Sequence, residues 1–107
     1  MADKVIIQKQ ILTSDRHNFE IELLYPITLK LQEDVQFPLK GVKKYYSYAH
    51  FGPDLGFFVQ GNDVLELHND FIYMVFNTAS SLKSLPWDEC FGSVYQYNAF
   101  KKYVRIA

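Results

Sequence analysis

Residues 55–76 (LGFFVQGNDVLELHNDFIYMVF) are the densest apolar stretch of the chain, so a core must assemble around them. Two polar pairs, Gly61-Asn62 and Asn69-Asp70, cut the stretch into three short apolar runs. Two foldings compete for it. In the extended reading, Gly61-Asn62 is a two-residue hairpin turn, because glycine tolerates the positive φ such turns need. Phe58 then lies opposite Leu65 and Val59 opposite Val64, and Phe71 to Phe76 becomes a strand apolar on both faces, hence central and covered. In the helical reading, Asp63 caps a helix with Glu66 three residues on. Val64, Leu67, Phe71, Met74, Val75 and Leu82 then share one side, and Asp63, Glu66 and Asp70 the other. The β-branched and aromatic content of residues 71–76, with two turn signals, weighs toward strands, and the helix over 63–83 stays open as the alternative.

Similar alternation recurs along the chain. Val5, Ile7 and Ile11 point one way, with Gln8 and Gln10 the other. Phe19, Ile21 and Leu23 alternate with Glu20 and Glu22, and after Pro26 the pattern resumes with Ile27, Leu29 and Leu31. Half-apolar period-2 runs belong to antiparallel sheets with one wet face. Residues 41–50 form a Tyr-rich strand candidate, and Phe51-Gly-Pro-Asp54 a turn. Residues 77–85 suit one short helix ended by Pro86. Residues 87–90 suit a turn that packs Trp87 on the core, and residues 93–106 a last strand. The expected fold is therefore mainly β, or β-rich α+β: a single antiparallel sheet or partly closed barrel with at most one or two short helices. At 107 residues it is one domain, residues 1–107.

Net charge is −1, which favours neither a polyanion nor an acidic membrane surface. No apolar run approaches the ~20 residues of a spanning helix. The N-terminus has no charged-then-apolar leader pattern, and one cysteine, Cys90, excludes an internal disulfide. A soluble, cytoplasmic protein is expected.

Catalytic signatures are missing. The five glycines are scattered and build neither phosphate loop nor dinucleotide fingerprint. His68 and Glu66 share a face if 64–70 is a strand and would then approach one metal or proton, but their spacing fits no metal motif. Cys90 lacks a nucleophile signature around it. No cofactor and no metal are implied.

Binding is better supported. The chain carries nine Phe, eight Tyr and one Trp. Tyr accepts half-wet positions and anchors interfaces. Residues 49–92 hold six carboxylates against Lys83 alone. Tyr45, Tyr46, Tyr48 and Tyr73 with Asp63, Glu66 and Asp70 form the candidate contact face. The reading that follows is a non-enzymatic binding protein acting on another protein, of the inhibitor or toxin-neutralising immunity type, with a basic toxin or enzyme as a fitting partner. Two basic Tyr segments, Lys40 to Tyr48 and Tyr95 to Arg105, give the alternative of a single-stranded nucleic-acid platform, if they pair. A small enzyme or metal-binding protein using His68 and Glu66 is the third reading. An exposed edge strand leaves monomer and homodimer both open.

Overall fold

Where alternation is shortest, the chain makes strands. The computed structural model describes residues 4–107. Strand β1 (Lys4–Ile7) pairs antiparallel with β4 (Ile27–Lys30). Strands β2 (Gln10–Leu12), β3 (Ile21–Leu23) and β8 (Val104–Ile106) form a second antiparallel sheet in the order β2-β3-β8. Strands β5 (Gln32–Glu33), β6 (Tyr45–Phe51) and β7 (Leu55–Gly61) form a third. Three helices complete a β-rich α+β fold: α1 (Val64–Ser84), α2 (Trp87–Cys90) and α3 (Val94–Tyr103). The expected single sheet or barrel is thus replaced by three small sheets, and "one or two short helices" by three, one of them 21 residues long.

The central stretch is where the extended reading fails. Gly61-Asn62 is the junction between β7 and α1, not a hairpin turn. Asp63 is the N-cap of α1, extended at φ −150°, and its carboxylate accepts a hydrogen bond from the Glu66 amide at 2.9 Å. Glu66 Oε1 reaches back to accept from the Asn62 amide at 3.3 Å. This reciprocal capping satisfies two donors and nucleates the helix. An apolar stripe of Leu67, Phe71, Val75, Phe76 and Ala79, all buried, carries it through six turns. That sustained burial outweighs the β propensity of the six residues 71–76. Leu85, forced extended ahead of Pro86, ends the helix.

The true hairpin is one turn earlier. Gly52, at φ +71°, opens the Gly52-Pro53-Asp54 turn between β6 and β7. Phe58 therefore lies opposite Tyr48, not Leu65, and Val59 opposite Ser47, not Val64.

Residues 94–103 are likewise helical rather than extended. Ser93 is the N-cap of α3, accepting from the Gln96 amide at 3.3 Å, while Gln96 accepts from the Gly92 amide at 2.9 Å. Only residues 104–106 of the expected last strand pair, with β3. Trp87 does not enter the core; it stays 38% exposed and stacks on Tyr97 at 5.9 Å. In the first strand, a break at Gln8-Lys9 flips the register. Ile7 and Leu12 are buried, and Ile11 is exposed instead of sharing the inner side with Ile7.

The alternation expected around Pro26 is present: Ile21, Leu23, Ile27 and Leu29 are all buried. They join Phe51, Val59, Phe71, Phe76 and Phe100 in the core, where α1 lies along the inner face of β7. Among the described residues, no helix is long and apolar enough to cross a membrane.

Candidate binding face

Alternation along β6 and β7 assigns each side chain to one side. Ser47, Ala49 and Phe51 of β6, and Leu55 and Val59 of β7, are buried on the side that packs against α1 and α3. Tyr46, Tyr48, His50, Phe58 and Gln60 therefore face outward, Tyr46 half-buried, with Thr28 and Lys30 of β4 beside Tyr48 and His50. The rings touch one another. Phe58 lies 5.4 Å from Tyr48 and 6.1 Å from Tyr46, and His50 stacks 6.3 Å from Tyr48. Tyr48 is 49% exposed and Phe58 42%. Such a cluster is an apolar patch on a wet sheet face, held by cross-strand contact.

The patch continues over the edge of β7. Gln60, opposite Tyr46, donates its backbone N–H to Asp70 Oδ2 at 2.9 Å. Gln60 also lines a depression of about 290 Å³ with Glu66, Asp70, Tyr73, Asn69 and Lys43. Helical spacing brings Asp63, Glu66, Asp70 and Tyr73 to the side of α1 next to this edge. Three of the proposed residues, Glu66, Asp70 and Tyr73, thus stand on α1 with Asp63 as its N-cap, and two, Tyr46 and Tyr48, on the sheet. Tyr45 departs from the set: it has the parity of the covered face, opposite Gly61, and packs partly buried against the core.

Each carboxylate of the shoulder has structural work. Asp63 caps α1, Glu66 bonds the Asn62 amide and approaches Lys43 Nζ at 3.7 Å, and Asp70 bonds the edge of β7. The far side of the same face carries cations: Lys4 and Lys30 lie directly opposite each other in β1 and β4. The face therefore runs from Lys4 and Lys30 through rings to an end where Glu66 and Asp70 stand with Lys43.

Phe58 is the member of this ring row that the sequence reading leaves out of its candidate face. With Gly61-Asn62 read as the turn, Phe58 is set opposite Leu65 instead of among the β6 tyrosines. The signal was the Gly52-Pro53 turn, which makes Leu55, Phe57 and Val59 the inward set and leaves Phe58 as the odd ring out.

Other candidate sites do not assemble. Glu66 and His68, two positions apart on a helix, diverge by about 200° and cannot share a ligand as they would on a strand. Among the described residues, no group of three or more His, Cys, Asp or Glu is arranged to hold a metal ion. The depression beside Cys90 is lined by Asn77, Thr78, Ser81, Leu85 and Glu89, without a histidine. The two basic Tyr segments do not pair: β6 is bonded to β5 and β7, and residues 94–103 are α3. Compared with protein-family models, curated proteins and solved structures, the chain matches none.

Proposed function

We propose that the chain is a small non-enzymatic binding protein whose target is another protein, of the inhibitor or immunity type. One observation carries this reading: Tyr48 and Phe58, with the half-buried Tyr46, form a ring row on one side of the β6–β7 hairpin, whose other side packs against α1 and α3. A contiguous exposed apolar patch with a polar rim is what a partner surface requires. Rings supply contact area at low entropic cost, and the rim of opposite charges, Lys4 and Lys30 against Glu66 and Asp70, orients the partner. A partner with apolar anchors flanked by basic groups on the Glu66 side fits best, which suits a basic toxin or enzyme. The proposed setting is cytoplasmic, where the lone thiol of Cys90 stays reduced.

A single-stranded nucleic acid is the weaker reading. Lys101, Lys102 and Arg105, which it needs, belong to α3 and β8 rather than to the ring row.

The test is affinity capture with the wild-type chain and with Tyr48→Glu and Phe58→Glu, both exposed positions. A partner bound by wild type is expected to be lost by both variants while their melting temperatures stay close to wild type. Capture of every partner unchanged by the double variant overturns the proposed face.

A further inference from the structure

A cavity that shares no residue with the ring row lies where α1, α3 and β8 meet. It has a volume of about 360 Å³, within the range of small-ligand sites. Its walls are Leu24, Leu82, Phe100, Val104 and Ile106, with Tyr97 at the side. Its charged lining is of one sign only: Lys101 and Arg105, both exposed, and no carboxylate.

The two cations differ. Arg105 donates from Nε and Nη2 to Glu22 Oε1 on the neighbouring strand, so its charge is already met. Lys101 has no ion-pair partner among the described residues; its Nζ stands 5.0 Å from the Tyr97 ring at the cavity wall. The helix dipole favours a lysine in the last turn of α3, but Lys102 fills that role equally and leans toward Tyr25 instead. An apolar groove with a cation at its mouth that meets a ring but, among the described residues, no carboxylate is complementary to a tail with one negative charge.

We propose that this cavity binds a medium-chain fatty carboxylate, its tail against Leu82, Phe100, Val104 and Ile106 and its carboxylate at Lys101. The volume, about 360 Å³, is too small for a two-chain lipid.

The chain holds its own reporter. Trp87, the sole tryptophan, stacks on Tyr97, so filling the cavity alters the surroundings of the indole. Wild-type protein is titrated with decanoate, decanol and acetate while Trp87 fluorescence is followed. Decanoate is expected to give a saturable change, decanol a weaker one and acetate none. Lys101→Glu is expected to weaken decanoate about five-fold, as loss of one exposed charge pair allows, with decanol unchanged. Lys102→Glu, the same charge change one residue on, is expected to leave decanoate binding as in wild type. The proposal is overturned if decanoate gives no saturable change, if decanol binds as well as decanoate, or if the two lysine variants behave alike. Sedimentation is run alongside: a dimer that Ile106→Asp dissociates would make a second copy of the chain the occupant and overturn it equally.

Discussion

Asp70 on α1 accepts the backbone N–H of Gln60, at 2.9 Å, on the open edge of β7. An edge strand exposes unpaired amides that invite another chain to add to the sheet. Here a helix side chain occupies one of them, and it ties α1 to the strand it covers. Asp70→Ala is expected to cost about 1 kcal/mol of stability, the net worth of one such bond, whereas Asp70→Asn, which keeps an acceptor oxygen, costs less. Urea denaturation of the three proteins checks the order. The consequence for binding studies is direct: reversing Asp63, Glu66 and Asp70 together would disturb a helix cap and a sheet edge as well as any contact. The isosteric Asp70→Asn change separates the two effects.

Gly61 marks how closely β7 and α1 approach. A Cβ built there would stand 2.7 Å from both Glu66 Cβ and the Leu67 amide nitrogen, two of the least movable atoms in the first turn. Backbone conformation is not the constraint, since its φ is not positive. Gly61→Ala is expected to destabilise by about 1–3 kcal/mol through overpacking. Gly92→Ala meets only the end of the Gln96 side chain at 3.4 Å and is expected to cost less. Chemical denaturation of both variants tests the contrast.

Both segments misread as strands begin in the same way. Asp63 with Glu66, and Ser93 with Gln96, are capping pairs at N-cap and third position, and in each the longer side chain reaches the amide before the cap. The first pair is visible in the sequence and was outweighed by the β-branched and aromatic residues 71–76. The second competes with Tyr95, Tyr97 and Tyr103, which also fit alternation. Ring content is a poor guide here, since burial against β7 and β8 decides the state of these segments and is not written locally. What was legible was the short alternating runs at Ile21 to Leu23 and Ile27 to Leu29, where period and burial agree. Of the candidate face, Tyr46 and Tyr48 stand in the sequence reading together with Tyr45, which only the pairing of β6 separates from them, and the shared helix side of Asp63, Glu66 and Asp70 belongs to the reading not preferred. Ser93→Ala and Asp63→Ala are each expected to cost about 1 kcal/mol, with Ser93→Asp close to neutral. Loss of helical circular dichroism on heating, compared across the variants, measures it.

Ser47 has the opposite expectation. It sits 1% exposed on the covered side of β6, opposite Val59, and its hydroxyl has no hydrogen-bond partner among the described residues. A buried unpaired hydroxyl costs about 1–3 kcal/mol. Ser47→Ala removes that cost and leaves only a small void, so it is expected to hold or raise the melting temperature, where most core truncations lower it. A clear drop in calorimetry would mean that the hydroxyl is satisfied in solution.

Tyr48 and Phe58 supply the last contrast. Their cross-strand contact, at 5.4 Å, contributes about 0.2–1 kcal/mol to the fold. If the ring row anchors a partner, truncating either ring is expected to cost about 2 kcal/mol or more in binding, which exceeds any loss of stability. Tyr48→Ala and Phe58→Ala, measured by calorimetric titration against a captured partner and by thermal melting, separate the two quantities. The salt dependence of the same titration discriminates the class of partner. A protein docking mainly through rings loses little affinity as salt rises, because the apolar contact is unscreened and only the rim charges weaken. A nucleic-acid strand would lose affinity log-linearly with salt through counterion release, and a steep slope that Tyr48→Ala leaves unchanged would assign the binding to Lys4 and Lys30 instead of the rings.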